Sequence, residues 1–149
     1  MIRRLRGTLL EQELTRVIVD AGGVGYGVAV SPQTSTSLAG LGEPVDLYIH
    51  TNIYETGIDL YGFESSDDRD VFLLLTAVKG IGPRLAMNIL SGMEPSDLID
   101  AVAGGDLGRL VRIPGVGKRT AERIVVELRD KFRELQLQRG AAAPAETKD

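Results

Sequence analysis

The chain has 149 residues, 43% of them hydrophobic and 26% charged, with a formal net charge of −4. It has no cysteine and one histidine, His50, which excludes a disulfide framework and any zinc site built from several sulfur or nitrogen ligands. No apolar run is long enough to cross a bilayer, and Met1-Ile2-Arg3-Arg4-Leu5-Arg6-Gly7 is basic without the apolar core of a signal peptide, so a cytoplasmic protein with no membrane partner is expected.

The first 63 residues are expected to be β structure. Ile2–Leu10, Arg16–Ala21, Tyr26–Val30, Val45–Thr51 and Ile58–Phe63 are short runs rich in β-branched and aromatic residues. Gly22-Gly23 and the Gly40/Gly42 pair punctuate them. Five short strands in so small a span predict a closed barrel, because a flat sheet of that size leaves its edges open. Pro32–Leu38 is expected to be a short helical connection. Gly23-Val24-Gly25-Tyr26-Gly27 superficially resembles a dinucleotide loop, but a strand follows where a helix is needed. A β-turn is the reading it supports.

From Asp67 the apolar period becomes helical. Val71, Phe72, Leu74, Leu75 and Val78 share a face, with Ser66 or Asp67 as the expected N-cap. Pro83 stands at the first turn of the next helix, which runs to about Met93. Pro95–Ala103 predicts another, stopped by Gly104-Gly105, and Asp106–Ile113 a short one. Thr120–Leu135 is long and amphipathic, with Ala121, Ile124, Val125, Leu128 and Phe132 inward. Its outer Glu122, Glu127 and Asp130 alternate with arginines as expected solvated ion pairs. Residues 140–149 have the composition of a linker or tail.

Two stretches within this helical half are copies. Val78-Lys79-Gly80-Ile81-Gly82-Pro83-Arg84 recurs as Ile113-Pro114-Gly115-Val116-Gly117-Lys118-Arg119. Downstream, Ala86 matches Ala121, Ile89 matches Ile124 and Leu90 matches Val125. Glycine pairs alone are ordinary helix–helix turns. Two in register, each followed by a cation and an Ala–Ile helix face, predict a pair of anion sites. Backbone N–H groups would point outward at a helix start, with the helix dipole behind them. Gly80, Gly82, Gly115 and Gly117 would let a phosphate approach closely. Lys79, Arg84, Lys118, Arg119 and Arg123 would add charge, and Thr120 a hydroxyl. Two sites at fixed separation suit a ligand with regularly spaced phosphates, bound without regard to base sequence.

Charge distribution agrees with that reading. Residues 1–63 carry four Lys/Arg and seven Asp/Glu, whereas residues 109–123 carry five cations and one acid. A nucleotide P-loop around Gly117-Lys118 fails, because Arg112 and Arg119 stand where Gly and Ser/Thr are required. ATP hydrolysis is therefore not expected of this chain.

Several segments together resemble the RuvA family, whose members bind Holliday junctions as part of the bacterial branch-migration machine. They include Arg4-Leu5-Arg6-Gly7, Gly22-Gly23-Val24-Gly25-Tyr26, Leu60-Tyr61-Gly62-Phe63, Gly80–Ala86, Ile89–Met93 and Pro114–Arg123, and the resemblance covers about residues 1–135. It implies an α+β multi-domain chain. An N-terminal OB-fold β-barrel would occupy residues 1–63, a tandem helix-hairpin-helix DNA-binding domain 64–139, and a linker or tail 140–149.

The resemblance further implies a non-catalytic homotetramer; no cofactor and no metal-ligating residues are expected, with a monovalent ion held by backbone carbonyls at the hairpin turns left open. One or two tetramers would hold a four-way junction open during recombination and DNA repair. Implied partners are the RuvB ATPase, reached through a third helical domain beyond a linker, and the RuvC resolvase. The chain stops at Asp149 inside linker-like text, so a truncated chain is expected. The family places adjacent acids on a barrel hairpin as a central pin. Here Glu55 matches one, Thr56 replaces the second, and Asp59 lies further along. Two other readings are a helix-hairpin-helix enzyme, which needs a catalytic Asp, a nucleophilic Lys or clustered carboxylates, and a scaffold for ordinary duplex DNA.

Overall fold

A computed structural model of the protein describes residues 1–148, with side chains through Gly140. The chain divides into two compact units, Met1–Leu73 and Leu74–Asp149, and the division falls within a helix.

The first unit is a closed five-stranded barrel with strand order β1-β2-β3-β5-β4. The strands are β1 (Arg4–Gln12), β2 (Arg16–Ala21), β3 (Val24–Ala29), β4 (Pro44–Tyr54) and β5 (Gly57–Phe63). Alternating residues of each strand face inward, giving a core of Leu5, Leu9, Val17, Val19, Val28, Val30, Val45, Leu47, Ile49 and Leu60. β1 serves two neighbours. Its first half pairs with β4 and its second half with β2, with a bulge between Leu9 and Glu11. Gly7 sits at the changeover, where a Cβ would stand 2.0 Å from the Asp20 carbonyl oxygen. Only glycine permits that approach. The Gly22-Gly23 turn joining β2 to β3 has both φ angles positive, +64° and +88°, as a two-residue hairpin turn of the inward-twisting type requires. One parallel pair, Ala29 with Tyr61, closes the barrel between β3 and β5.

Two helices belong to this unit. α1 (Pro32–Ser37) is capped by Ser31, whose hydroxyl accepts from the Thr34 N–H at 3.1 Å. Its Ser35 hydroxyl donates to the Glu13 carbonyl at 2.6 Å. α2 (Ser66–Thr76) covers the barrel with Phe72, whose ring lies 4.9 Å from Phe63, 5.3 Å from Tyr61 and 5.5 Å from His50. Its cap is Ser65, not the expected Ser66 or Asp67. The Ser65 Oγ accepts from the Asp68 N–H at 3.1 Å, one position earlier than the apolar period suggests. Burial, then the charges of Arg69 and the N-terminus, hold the His50 pKa below its ordinary value. Arg4 and Arg69 lie over the Tyr48 ring, and Arg4 also forms a two-pronged bond with Asp46 at 2.8 and 3.0 Å.

The second unit carries α3 (Pro83–Gly92), α4 (Pro95–Ala103), α5 (Leu107–Leu110) and α6 (Lys118–Lys148). Its core includes Leu75, Ile89, Leu98, Leu110, Ile124 and Phe132, all fully buried. Gly105, at φ +68°, ends α4, and the Asp106 carboxylate caps α5 by accepting from the Arg109 N–H at 3.2 Å. α5 is shorter than expected because residues 111–113 turn toward the second glycine elbow. α6 starts two residues before the expected Thr120 and its backbone runs past Leu135 to Lys148, so residues 140–148, expected as a linker or tail, are helical; Asp149 lies outside the described residues.

The outer face of α6 differs from expectation. Among the described residues the ion pairs are Arg4–Asp46, Arg6–Asp46 and Arg109–Asp97, with none between the acids and arginines of α6. Arg129 and Arg133 turn instead to the Ala103 carbonyl at the end of α4, at 3.4 and 3.3 Å, and Gln136 reaches the Asp100 carboxylate at 2.9 Å. The carbonyls of Asp100, Ala101 and Val102 are already taken by the N–H groups of Gly104, Asp106 and Gly105. The Ala103 carbonyl, at the partly negative end of α4, competes well with a solvated carboxylate for the arginines.

Candidate nucleic-acid interface

The two copied segments fold alike. In the first, the Ile81 N–H donates to the Val78 carbonyl at 3.0 Å; in the second, the Val116 N–H donates to the Ile113 carbonyl at 3.0 Å. The third residue of each turn is Gly80 or Gly115, at φ +92° and +90°, a conformation that side chains resist. The apolar ends of each turn are buried while the glycines between them are exposed. Each elbow is thus anchored by its aliphatic residues and presents its backbone outward.

Each elbow then opens a helix. The Gly82 carbonyl accepts from the Ala86 N–H at 3.0 Å and the Gly117 carbonyl from the Ala121 N–H at 2.9 Å. Gly82 is the N-cap of α3 and has no side-chain cap bond. The first amides of α3 and α6 therefore lack a capping acceptor from their N-cap residue. A Cβ built on Gly82 or Gly117 meets nothing within 4 Å. The open space in front of these amides is the space an anion would fill, at the positive end of the helix.

The elbows differ at one donor. Pro83 supplies no N–H at the first position of α3, whereas Lys118 supplies an N–H and a charge at the first position of α6. The start of α6 therefore offers one backbone donor and one cation more than the start of α3.

Their separation is set by packing that the sequence did not reveal. Leu85 of α3 seats against Gly115, its Cδ1 only 3.2 Å from where a Cβ would stand. Gly92, at the other end of α3, faces Ile113 at 3.1 Å in the same sense. Arg123 of α6 reaches back to the first elbow and donates to the Lys79 carbonyl at 3.5 Å, beside Gly80. Each motif thus leans on the glycine of the other. The signal for this was the small residue at Gly92, whose partner no sequence pattern names.

The remaining expected residues fall on the same unit. Lys79, Arg84, Lys118, Arg119 and Arg123 are exposed, and Thr120 is half-buried. Among the described residues none of these cations is in an ion pair. Arg109, by contrast, lies 3.9 Å from Asp97. Among the described residues no group of three or more His, Asp or Glu is placed to hold a metal ion. No helix there is long and apolar enough to cross a membrane.

Glu55 belongs to the other unit. It is exposed in the two-residue turn between β4 and β5, bounded by the Tyr54–Gly57 pair. Thr56 shares the turn, and Asp59 lies on β5 opposite Asn52, clear of the apex.

A five-stranded barrel precedes two helix-hairpin-helix motifs whose glycine elbows are exposed, an arrangement that leaves backbone amides open to an anion. Comparison with known proteins identifies the family. Residues 1–62 match the model of the RuvA N-terminal domain, and residues 72–130 match that of a SAM-like helix-hairpin-helix tandem. The chain is 46% identical over 148 residues to the Holliday junction branch migration complex subunit RuvA of Myxococcus xanthus (strain DK1622), covering 97% of this chain and 73% of that relative. Against the protein of the same name from Anaeromyxobacter sp. (strain Fw109-5) the identity is 50% over 151 residues, covering 99% of this chain and 74% of the relative. That of Geobacter sp. (strain M21) is 44% identical, with 97% and 75% covered. The chain belongs to the RuvA family.

Proposed function

We propose that this chain binds four-way DNA junctions irrespective of sequence, as the junction-binding subunit of a branch-migration complex. The observation that carries the reading is the doubled elbow. Two exposed Gly-x-Gly turns in the same conformation open two helices whose N-cap glycines supply no side-chain acceptor, and both are flanked by cations that, among the described residues, form no ion pair. Lys79, Gly80, Gly82 and Arg84 would hold one sugar–phosphate stretch, and Gly115, Gly117, Lys118, Arg119, Thr120 and Arg123 another. Contacts of this kind position DNA without reading bases, which is what an arm that slides requires.

The finer features rest on the family resemblance. Domain limits of 1–63, 64–139 and 140–149, a homotetramer, Glu55 as a central acidic pin, a RuvB ATPase and a RuvC resolvase as partners, and work in the cytoplasm belong to this proposal. So does the absence of catalysis by the chain itself. The acids on α6 are spread along a helix, not clustered as metal-assisted hydrolysis needs.

The test is a titration of the protein against a four-way junction and a linear duplex of matched length at several salt concentrations. The junction is expected to bind at least tenfold tighter, with log K falling by roughly 0.9 per phosphate for each unit of log salt. Equal affinity for both DNAs favours a duplex scaffold. A slope near zero removes the amides and cations from phosphate.

A further inference from the structure

The β4–β5 hairpin carries more than its acidic turn. The last paired level within the barrel core is Thr51–Leu60. Tyr54 lies three residues further, so the ribbon runs on by about 10 Å at ~3.4 Å per residue. Residues on such an extension normally turn polar. Here Ile53 and Ile58 form a direct cross-strand pair and are 57% and 62% exposed. They continue the row of Leu47, Ile49 and Leu60 beyond the core. On the opposite face Tyr54, 45% exposed, lays its ring across Gly57, with ring atoms 3.3–3.4 Å from where a Cβ would stand. Glycine at that position lets the ring lie along the ribbon.

The extension is therefore a thin blade, aliphatic on one face and aromatic at the tip of the other, where the Asn52–Asp59 pair follows Tyr54 and Gly57 toward the barrel, with Glu55 in its turn. Its chemistry excludes phosphate as the occupant. There is no Lys or Arg between Arg16 and Arg69, and the turn itself carries a carboxylate. What suits both faces of such a ribbon is a flat, uncharged surface. We propose that Tyr54 and the Ile53–Ile58 pair form a stacking platform for nucleobases at the branch point of DNA, with Tyr54 the main positioning residue. Glu55 repels the phosphates, and the faces behind it receive the bases that strand exchange leaves unstacked. Stacking on an aromatic ring is indifferent to base identity, in keeping with sequence-neutral sliding. The inference rests on the junction-binding reading above.

The experiment uses the full chain and a four-way junction carrying 2-aminopurine at the crossover, or in a control junction at mid-arm. Binding is measured in the same samples. Wild type is expected to change the emission at the crossover and leave the mid-arm probe unaltered. Tyr54→Phe keeps the change. Tyr54→Ala and Ile58→Ser bind the junction but lose the crossover signal by about tenfold. An undiminished crossover signal with Tyr54→Ala, or an equal signal at mid-arm, overturns the platform alone. Absence of junction binding by wild type overturns the parent reading as well. If Ile53→Ser lowers the solution mass of the DNA-free protein, the aliphatic face is covered by a second copy and the proposal falls.

Discussion

A Cβ added at Gly117 meets no atom within 4 Å, whereas one added at Gly7 lands 2.0 Å from a backbone carbonyl. The same residue type thus serves access at one position and packing at the other. Gly117→Val and Gly82→Val are expected to fold, losing about 1 kcal/mol or less at a helix cap that prefers glycine to valine. Each loses at least tenfold in junction affinity, because a side chain fills the space in front of the amides. Gly7→Ala should do the reverse. Crowding of this severity costs about 3 kcal/mol, read as a lower melting temperature, while the elbows are untouched. Gel shifts and melting curves on the three variants check the pair of outcomes, and full binding by folded Gly117→Val would remove that elbow from the interface. His50 gives a second residue-level prediction. Its folded pKa lies below the ordinary 6.5, so the unfolded chain takes up the proton first. Its contribution is intact above that pH and is lost as pH falls below it toward the folded value. Melting temperatures from pH 7.5 to 5 should decline, and the decline should be smaller in His50→Phe.

At the scale of elements, every expected strand is present, because each has a β-branched or aromatic run bounded by turn residues. β2 matches residue for residue. α4 does too, since Pro95 starts it and Gly104-Gly105 stops it. The elbows were legible for a related reason: a turn needing positive φ leaves glycine at a fixed place, and two such turns in register stand out. What stayed hidden depends on partners distant in sequence. The α2 cap at Ser65 lies outside the apolar period, and Arg129 and Arg133 choose the Ala103 carbonyl, 26 and 30 residues away. The parallel closure of β3 on β5 carries no local signal at all. The interlock of Leu85 with Gly115 was equally invisible, although it fixes the distance between the two candidate sites.

For the whole molecule the main question is how many copies act together. On the proposed reading, one chain offers two candidate phosphate sites in its second unit and one acidic turn in its first. Four arms of a junction require the set to be repeated. The free protein is therefore expected at four times the chain mass of 16.0 kDa, and the junction complex at one or two such assemblies per DNA. Light scattering with and without the junction checks this, and a 16.0 kDa species under both conditions would contradict a tetrameric clamp. The acidic first unit also makes the assembly's field uneven. Like charges about 4 Å apart in water repel by ~1 kcal/mol, so copies of Glu55 brought close together would reinforce one another even with threonine beside each.

The donors at both elbows belong to the main chain, and a peptide N–H persists whatever side chain its residue bears. Mutation has only two ways to remove one: proline, already present as Pro83 in the first elbow, or bulk that bars the way. Most surface replacements nearby therefore leave the donors' chemistry intact, while a handful at glycine are ruinous. Such a surface would accept many changes of composition but few changes of shape.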